Sequence, residues 1–191
     1  MAQEAWSVLL HVYGLVYQAL VPCAVPELLA ASSLNIQQYL GKWYFVAAVS
    51  SREADIHMFR GMDSTVFTLE ETAVNNTLLL TGVMRIGDKC QNATWTYHIH
   101  PEREELVLAG KPERKTLLWS GAWLNCLQCI ILQETEPPLK DTDTEDSLGR
   151  HMLYARQSMV DPAVVKAFQT KSSCNEMDAF VRLPQEKEFC I

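Results

Sequence analysis

Short apolar runs alternate with polar turn residues along most of the chain beyond residue 40. Alternating apolar and polar positions are typical of strands that bury one face. Eight runs fit this pattern, at 43–50, 64–70, 77–85, 92–100, 104–109, 116–123, 127–135 and 151–157. Polar connectors such as "NN", "GD" and "KPERK" separate them, and these residue types favour the tight turns of antiparallel hairpins.

The period of the pattern changes at Asp161-Pro162. Asp is a favoured helix N-cap, and Pro suits the first helical position. Val164, Val165 and Phe168 would share one face of the helix that follows. The pattern therefore predicts one α-helix, and a last extended stretch, "MDAFVRL", comes after it.

Strands in series with one late helix predict an all-β fold: an eight-stranded up-and-down antiparallel barrel with one α-helix in the C-terminal half. Closure of the sheet removes the exposed strand edges that invite aggregation. A barrel of this size has an interior just wide enough for side chains or one small ligand. The fold class therefore indicates a protein that can bind a small ligand inside the barrel.

The N-terminus differs from the rest of the chain. Residues 5–25 form a 21-residue stretch without a formal charge, which is long enough to cross a bilayer if helical. Secretory signals usually begin with Lys or Arg, whereas the charged residue before this stretch is Glu4. We interpret residues 1–22 as a signal-like segment and residues 23–191 as the barrel domain. Cleavage of the segment and its retention as an apolar anchor are both left open.

The composition and the net charge limit the kinds of molecule that the protein can bind. The chain has 191 residues, of which 48% are hydrophobic, so it is large enough for one domain with a proper core. Its net charge is −7 and it has no block of Lys and Arg. Nucleic-acid binding depends on clustered cations, and we therefore expect no nucleic-acid partner.

Cysteines and glycosylation motifs indicate an extracellular protein. The six cysteines are residues 23, 90, 126, 129, 174 and 190, and disulfides persist in oxidising compartments. Asn75 and Asn92 each begin an Asn-x-Thr sequence that can accept a glycan. We expect secretion, disulfide bonds and glycosylation.

The stretch "GKWYFVA" contains Gly41 and Trp43 where the first strand begins, and it resembles the signature of the lipocalin family. A glycine allows a tight turn into the strand, and the Trp then packs beneath the core. Arg156, directly after the last predicted barrel strand, matches the lipocalin Arg that lies over this Trp, a favourable cation–π arrangement. The resemblance implies that these residues close one end of the barrel.

Further motifs extend the resemblance over nearly the whole chain, to one branch of the lipocalins: "TWTYHI", "GKPERKTLLW", "HMLYAR" and the spacing of Cys174 and Cys190. That resemblance implies a secreted, monomeric carrier of sphingosine 1-phosphate, without enzymatic activity or cofactor. It also implies that a retained N-terminal segment anchors the protein in high-density lipoprotein particles. The expected partners are a small amphiphilic lipid and a lipoprotein surface.

The resemblance also assigns ligand-binding residues. Trp95 and Tyr97 would face the pocket, with the indole N–H of Trp95 near the lipid phosphate. Lys111 matches a family Arg that binds this phosphate, and lysine keeps the charge but loses the bidentate geometry. A second phosphate-binding Arg of the family is Ala93 here, which weakens the expected phosphate recognition.

Glu134 matches an acid near the ligand amine, and Arg150 and Tyr154 match residues that line the pocket. Each assignment has a simpler alternative, because aromatic residues commonly fill cores and charged residues at loop edges commonly face water. Trp95 would then be a core residue, and Lys111 would be solvated. Glu134 and Arg150 would likewise face solvent at strand ends.

For the cysteines, the resemblance pairs Cys23 with Cys174 and Cys90 with Cys190. The bonding of Cys126 and Cys129 is left open. On one regular strand these two side chains would face opposite sides, so a bridge between them requires a bend.

Three other functions stay open. One is a general carrier of fatty acids or retinoids without phosphate selectivity, and another is a lipocalin-fold enzyme with a pocket thiol at Cys129. The third is a lipoprotein surface component whose barrel is incidental. No metal site is expected, because His98 and His100 lack a third ligand and are expected to be exposed. The stretch "DTDTED", 141–146, is expected to be a solvated loop.

Overall fold

The computed structural model describes residues 6–7, 10–11, 23–138 and 147–190. The strands are β1 Gly41–Ser50, β2 Met62–Glu71, β3 Thr77–Ile86, β4 Lys89–Ile99, β5 Leu106–Leu108, β6 Lys115–Ser120, β7 Cys129–Glu136, β8 Leu148–Ala155 and β9 Ala179–Arg182. The helix α1 is Pro162–Ser173, and short 3₁₀ turns span Ile36–Gln38, Glu53–Asp55, His57–Gly61 and Gly121–Leu124. No helix among the described residues is long and apolar enough to cross a membrane.

The sheet is a closed antiparallel barrel. Strands β1 to β8 pair in sequence, and β1 pairs with both β8 and β2. The first half of β1 pairs with β2, and its second half, Ala47–Ser50, pairs with β9. The predicted barrel, its eight strands and the helix are thereby confirmed, and "MDAFVRL" supplies β9.

Two predicted strands were too long: 104–109 is reduced to β5, Leu106–Leu108, and 116–123 extends beyond the end of β6. β6 ends at Ser120, because the side chain of this residue accepts a hydrogen bond from the Ala122 N–H and caps a 3₁₀ turn. Asn125 then adopts a left-handed conformation with φ of 57° and reverses the chain toward β7.

The barrel wall has two packed faces because successive strand residues point to opposite sides. Inward side chains form a core around Phe45, Phe67 and Tyr154. Outward side chains of β1, β7 and β8 pack against Val165 and Phe168 of α1. The helix begins as predicted, with the Asp161 side chain accepting from the Ala163 N–H at 2.8 Å.

The signature residues lie together at the end of the barrel where β1 begins, called the closed end below. Gly41 has a φ of 89°, a conformation that favours glycine. The Trp43 ring is buried, and its indole N–H donates to the Tyr39 carbonyl at 2.7 Å. The Arg156 guanidinium lies over the Trp43 ring, with its central carbon 3.9 Å from the ring centre.

All six cysteines form disulfides, and both pairings implied by the resemblance are confirmed. Cys23 bonds to Cys174, and Cys90 bonds to Cys190. Cys126 bonds to Cys129. This bridge is possible because Cys126 lies in the turn before β7, so the two residues do not share a regular strand.

Candidate ligand-binding site

An aromatic layer crosses the barrel interior. The ring centre of Phe67 lies 5.7 Å from that of Trp95 and 5.5 Å from that of Tyr154. Gly82 on β3 makes room for two of these rings, since a Cβ there would come within 2.7 Å of Phe67 and 2.9 Å of Trp95. Aromatic pairs at such distances are favourable beyond the area that they bury.

An inner cavity of about 60 Å³ lies between this layer and the closed end. Its own lining residues are apolar or aromatic: Ile36, Tyr39, Trp43, Leu69, Leu78, Leu106, Leu118 and Ile130. Such a wall offers burial to a hydrocarbon chain and almost no hydrogen bonds. The inner cavity is therefore suited to an apolar tail.

A second cavity of about 180 Å³ opens on the other side of the layer, and we call it the mouth cavity. The two cavities share the wall residues Phe67, Leu80, Tyr97, Leu132 and Tyr154. Met58, Met62, Met84 and Met152 line the mouth cavity, and methionine side chains adapt readily to irregular apolar shapes. Arg114, Glu134 and Arg150 supply its charges.

Glu134 and Arg150 form a buried ion pair in the mouth cavity. Only 5% of Glu134 and 9% of Arg150 is exposed, and the Arg150 Nε donates to Glu134 Oε2 at 2.8 Å. Arg150 Nη1 donates to the Asp55 carbonyl at 3.0 Å, and its guanidinium lies 5.0 Å from the Phe59 ring centre. Glu134 and Arg150 therefore do not face solvent at strand ends, which was the simpler alternative for these two residues.

The 3₁₀ turns at Glu53–Gly61 fold over this ion pair. The Asp55 carboxylate is itself buried and accepts from the Ser50 hydroxyl and the Gly149 N–H, each at 3.1 Å. The same carboxylate is paired with Arg52, Nη2 to Oδ1 at 2.6 Å. This segment therefore fixes one wall of the mouth cavity.

Arg114 was not singled out from the sequence. Its Nε donates to Glu136 Oε2 at 2.8 Å, and its Nη2 is ion-paired with the same oxygen at 2.7 Å. Its Nη1 lies 4.0 Å from Glu134 Oε2. The alternation of side chains along a strand could have identified Arg114. Thr116 and Leu118 of β6 are buried, and Arg114, two residues before Thr116, points to the same inward side. Phe45 and Phe59 were also missed.

The two tyrosines of the site stay neutral over the usual range of pH. Burial raises the pKa of Tyr97 and of Tyr154, and the negative charge of Glu134 adds to this effect in both. Their hydroxyls are therefore available as hydrogen-bond donors near the ion pair.

The structure brings most of the residues assigned by the resemblance together. Trp95, Tyr97, Glu134, Arg150 and Tyr154 all line the mouth cavity. Lys111 lies in the exposed turn between β5 and β6 and lines neither cavity. Its contact with a ligand stays a prediction.

Other sequence candidates lie away from the cavities. Asn75 and Asn92 are exposed, and Asn92 is on the outward face of β4, so a glycan there would project away from the interior. His98 is half-buried beside Thr77, not exposed as expected, and its Nδ1 lies 3.3 Å from the Thr77 hydroxyl. His100 is exposed, and residues 141–146 lie outside the described residues.

Cys129 is buried among outward side chains that pack near α1, and it is bonded to Cys126. It therefore faces away from both cavities and has no thiol. The hypothesis of an enzyme with a pocket thiol at Cys129 is wrong on both counts.

A family model described as the ApoM domain matches residues 1–191, which is the whole chain. The chain belongs to the apolipoprotein M family. Apolipoprotein M of Rattus norvegicus is 27% identical over 197 residues, covering 100% of this chain and 97% of the relative. Apolipoprotein M of Mus musculus is 28% identical over the same length and coverage.

Solved structures agree on the fold. The siderocalin Ex-FABP is 16% identical, with a TM-score of 0.58 over 80% of this chain and 97% of its own. A second siderocalin is 18% identical, with a TM-score of 0.61 over 82% of this chain and 96% of its own. The siderocalins thus share the closed lipocalin barrel with this chain.

Proposed function

We propose that the chain is a secreted carrier of a single-chain amphiphilic lipid, most specifically sphingosine 1-phosphate. The observation that carries this proposal is the change of polarity along the interior. The inner cavity is apolar, and the mouth cavity holds the buried pair Glu134 and Arg150 with Arg114 beside it. An amphiphile matches both ends of such a site.

In this proposal the lipid enters through the mouth cavity, with its tail directed toward Trp43. The aromatic layer of Phe67, Trp95 and Tyr154 separates the two cavities, so a long tail has to move some of these rings. Gly82 leaves no side chain of its own behind the rings of Phe67 and Trp95. Binding should therefore change the environment of Trp95.

The headgroup of sphingosine 1-phosphate carries an ammonium and a phosphate, and both have chemical partners at the mouth. Glu134 offers a carboxylate to the ammonium. The indole N–H of Trp95 is a donor for the phosphate, and Lys111 adds positive charge in the exposed turn nearby. Arg150 and the two tyrosines, Tyr97 and Tyr154, complete the wall.

We also propose that residues 1–22 are retained and attach the protein to a lipoprotein surface. The uncharged stretch 5–25 contains Cys23 near its end, and this residue is bonded to Cys174. Val25 and Leu127 are 70% and 88% exposed near the closed end, and apolar side chains in such positions suit a lipid surface. N-terminal sequencing of the secreted protein tests this part, and a start beyond residue 20 would exclude it.

A general lipid carrier is the second candidate. Ala93 replaces a cation that the resemblance associates with phosphate. Arg150 is engaged by Glu134 and Asp55, and Arg114 is engaged by Glu136. A mouth without an available cation would bind many single-chain lipids alike.

Competition between lipids separates the two candidates. Delipidated protein is incubated with equal amounts of sphingosine 1-phosphate, sphingosine and a long-chain fatty acid, and the bound species are identified by native mass spectrometry. Enrichment of the phosphorylated lipid supports the first candidate, and equal occupancy supports the second. A protein that retains none of the three lipids is not a carrier of this class.

A further inference from the structure

We propose that Arg114 is the residue that selects an anionic headgroup, and that it does so by exchanging Glu136 for the ligand. This inference rests on the proposed lipid-carrier function and deepens it. Arg114 and Arg150 are the cations among the described residues that line the mouth cavity. The contacts of these two residues decide which of them can take a ligand.

Arg150 is held by several partners at once. Its Nε and Nη2 atoms both bind Glu134, and its Nη1 donates to the Asp55 carbonyl at 3.0 Å and contacts the Met58 sulfur at 3.3 Å. The face of the guanidinium lies over Phe59. Releasing Arg150 would leave the buried Glu134 without its partner, which is costly.

Arg114 is held less firmly. Arg114 contacts one oxygen atom of Glu136, Oε2, through its Nε and Nη2 atoms. Arg150 contacts a single oxygen of Glu134 in the same way, but it is also held by the Asp55 carbonyl and lies over the Phe59 ring. Glu136 ends β7, and its side chain is 22% exposed against 6% for Glu134. Water can therefore solvate the Glu136 carboxylate once Arg114 turns away from it.

A phosphate is the better partner for this guanidinium. Its several oxygen atoms can accept the Nε and Nη2 hydrogens separately, in the bidentate geometry that arginine prefers. The released Glu136 then lies beside Glu134, and an ammonium on the same headgroup can bind there. A headgroup with phosphate and ammonium on neighbouring carbons therefore replaces one ion pair by two, and its ammonium offsets part of the phosphate charge.

The turn before β6 carries two cations, Lys111 and Arg114, at the end of the barrel where the mouth cavity lies. Their side chains differ in burial. The Arg114 side chain is 16% exposed and lines the cavity, whereas Lys111 is exposed and does not. A partly desolvated, directional cation discriminates between ligands more strongly than a solvated one. We therefore assign the direct contact to Arg114.

The test compares dissociation constants for sphingosine 1-phosphate and for sphingosine in five variants of the full chain. Arg114→Gln should lower the preference for the phosphorylated lipid by roughly tenfold, the effect of one lost charge-assisted contact. Arg114→Lys should retain part of the preference. Glu136→Gln should raise the preference, because Arg114 is then free of its competitor, and a misfolded protein could not give that gain.

Two further variants complete the set. Lys89→Gln removes an exposed charge of β4 and serves as the control, with no expected change in the ratio of the two constants. Lys111→Gln is expected to change it by less than Arg114→Gln. If both lipids bind but neither Arg114→Gln nor Glu136→Gln alters the ratio, the inference is overturned while the carrier function stands. If the unmodified chain takes up neither lipid, the carrier function fails and the inference fails with it.

Discussion

The guanidinium of Arg156 lies over the indole of Trp43, 3.9 Å from its ring centre, and ties it to the chain before β1. Arg156 donates hydrogen bonds to the carbonyls of Gln38, Leu40 and Lys42, at 2.6, 2.8 and 3.0 Å. One side chain after β8 thus joins the last barrel strand, the first barrel strand and the segment that covers the closed end.

We expect Arg156→Ala to lower the free energy of unfolding by about 3 kcal/mol, because it removes a cation–π contact and several hydrogen bonds to one charged group. Arg156→Lys should have an intermediate effect, since lysine keeps the charge but cannot reach three carbonyls. Urea denaturation measures both. Lys42→Gln, at an exposed position, is the control, and a loss for Arg156→Ala no larger than for this variant would contradict the prediction.

The buried pair Glu134 and Arg150 gives a second prediction. Arg150→Met should destabilise the protein by about 3 kcal/mol, because a carboxylate is left buried without its partner. The double variant Glu134→Gln with Arg150→Met should recover much of this loss. A double-mutant cycle from thermal unfolding measures the coupling, and additive losses would show that the two side chains do not depend on each other.

The pH dependence of stability should include a contribution from His151. Burial lowers the pKa of His151 to about 4, and its Nε2 has no hydrogen-bond partner among the described residues. The unfolded chain takes up this proton near pH 6.5, so stability falls as the pH drops from about 6.5 to about 4, by up to about 3 kcal/mol.

His151→Gln should flatten this part of the profile, measured as the free energy of unfolding at pH 7.5 and pH 4.5. His57→Gln replaces a histidine whose side chain is exposed and is the matched variant for comparison. Equal slopes for the His151 variant and the unmodified chain would refute the assignment.

The disulfides should differ in their contribution to stability because they close loops of different length. Cys23–Cys174 spans 151 residues and Cys126–Cys129 spans 3. On the chain-entropy account, serine substitution of the first pair costs about 5 kcal/mol and of the second about 2 kcal/mol. Denaturation of the two double-serine variants gives both values, and the reverse order would show that native-state strain or denatured-state structure dominates.

The barrel and its closed end could be predicted from the sequence because their signals are local. Strand alternation, the Asp-Pro helix start and the glycine before Trp43 each depend on neighbouring residues. The family resemblance added Arg156 and two disulfides. The early end of β6 was missed, because it depends on a side-chain cap at Ser120 that the apolar run does not reveal.

The mouth cavity was harder to predict, since its burial is produced by distant segments. Glu134 and Arg150 look like solvated residues in the sequence, and they are buried because the segment Glu53–Gly61 folds over them. Arg114 was overlooked in favour of Lys111, because the inward direction of Arg114 depends on the register of β6. Both cations lie within one short turn, and they are distinguished by the inward register of Thr116 and Leu118, which Arg114 continues.

The most direct test of the account is a titration of delipidated protein with sphingosine 1-phosphate and, in parallel, with sphingosine, followed by tryptophan fluorescence. Trp95→Phe should reduce the signal. Trp119→Phe should keep it, because Trp119 donates its indole N–H to Gln133 and lines neither cavity. The account predicts saturable binding of both lipids with a clear preference for the phosphorylated one. No saturable change with either lipid, confirmed by the absence of bound lipid in the recovered protein, would contradict it.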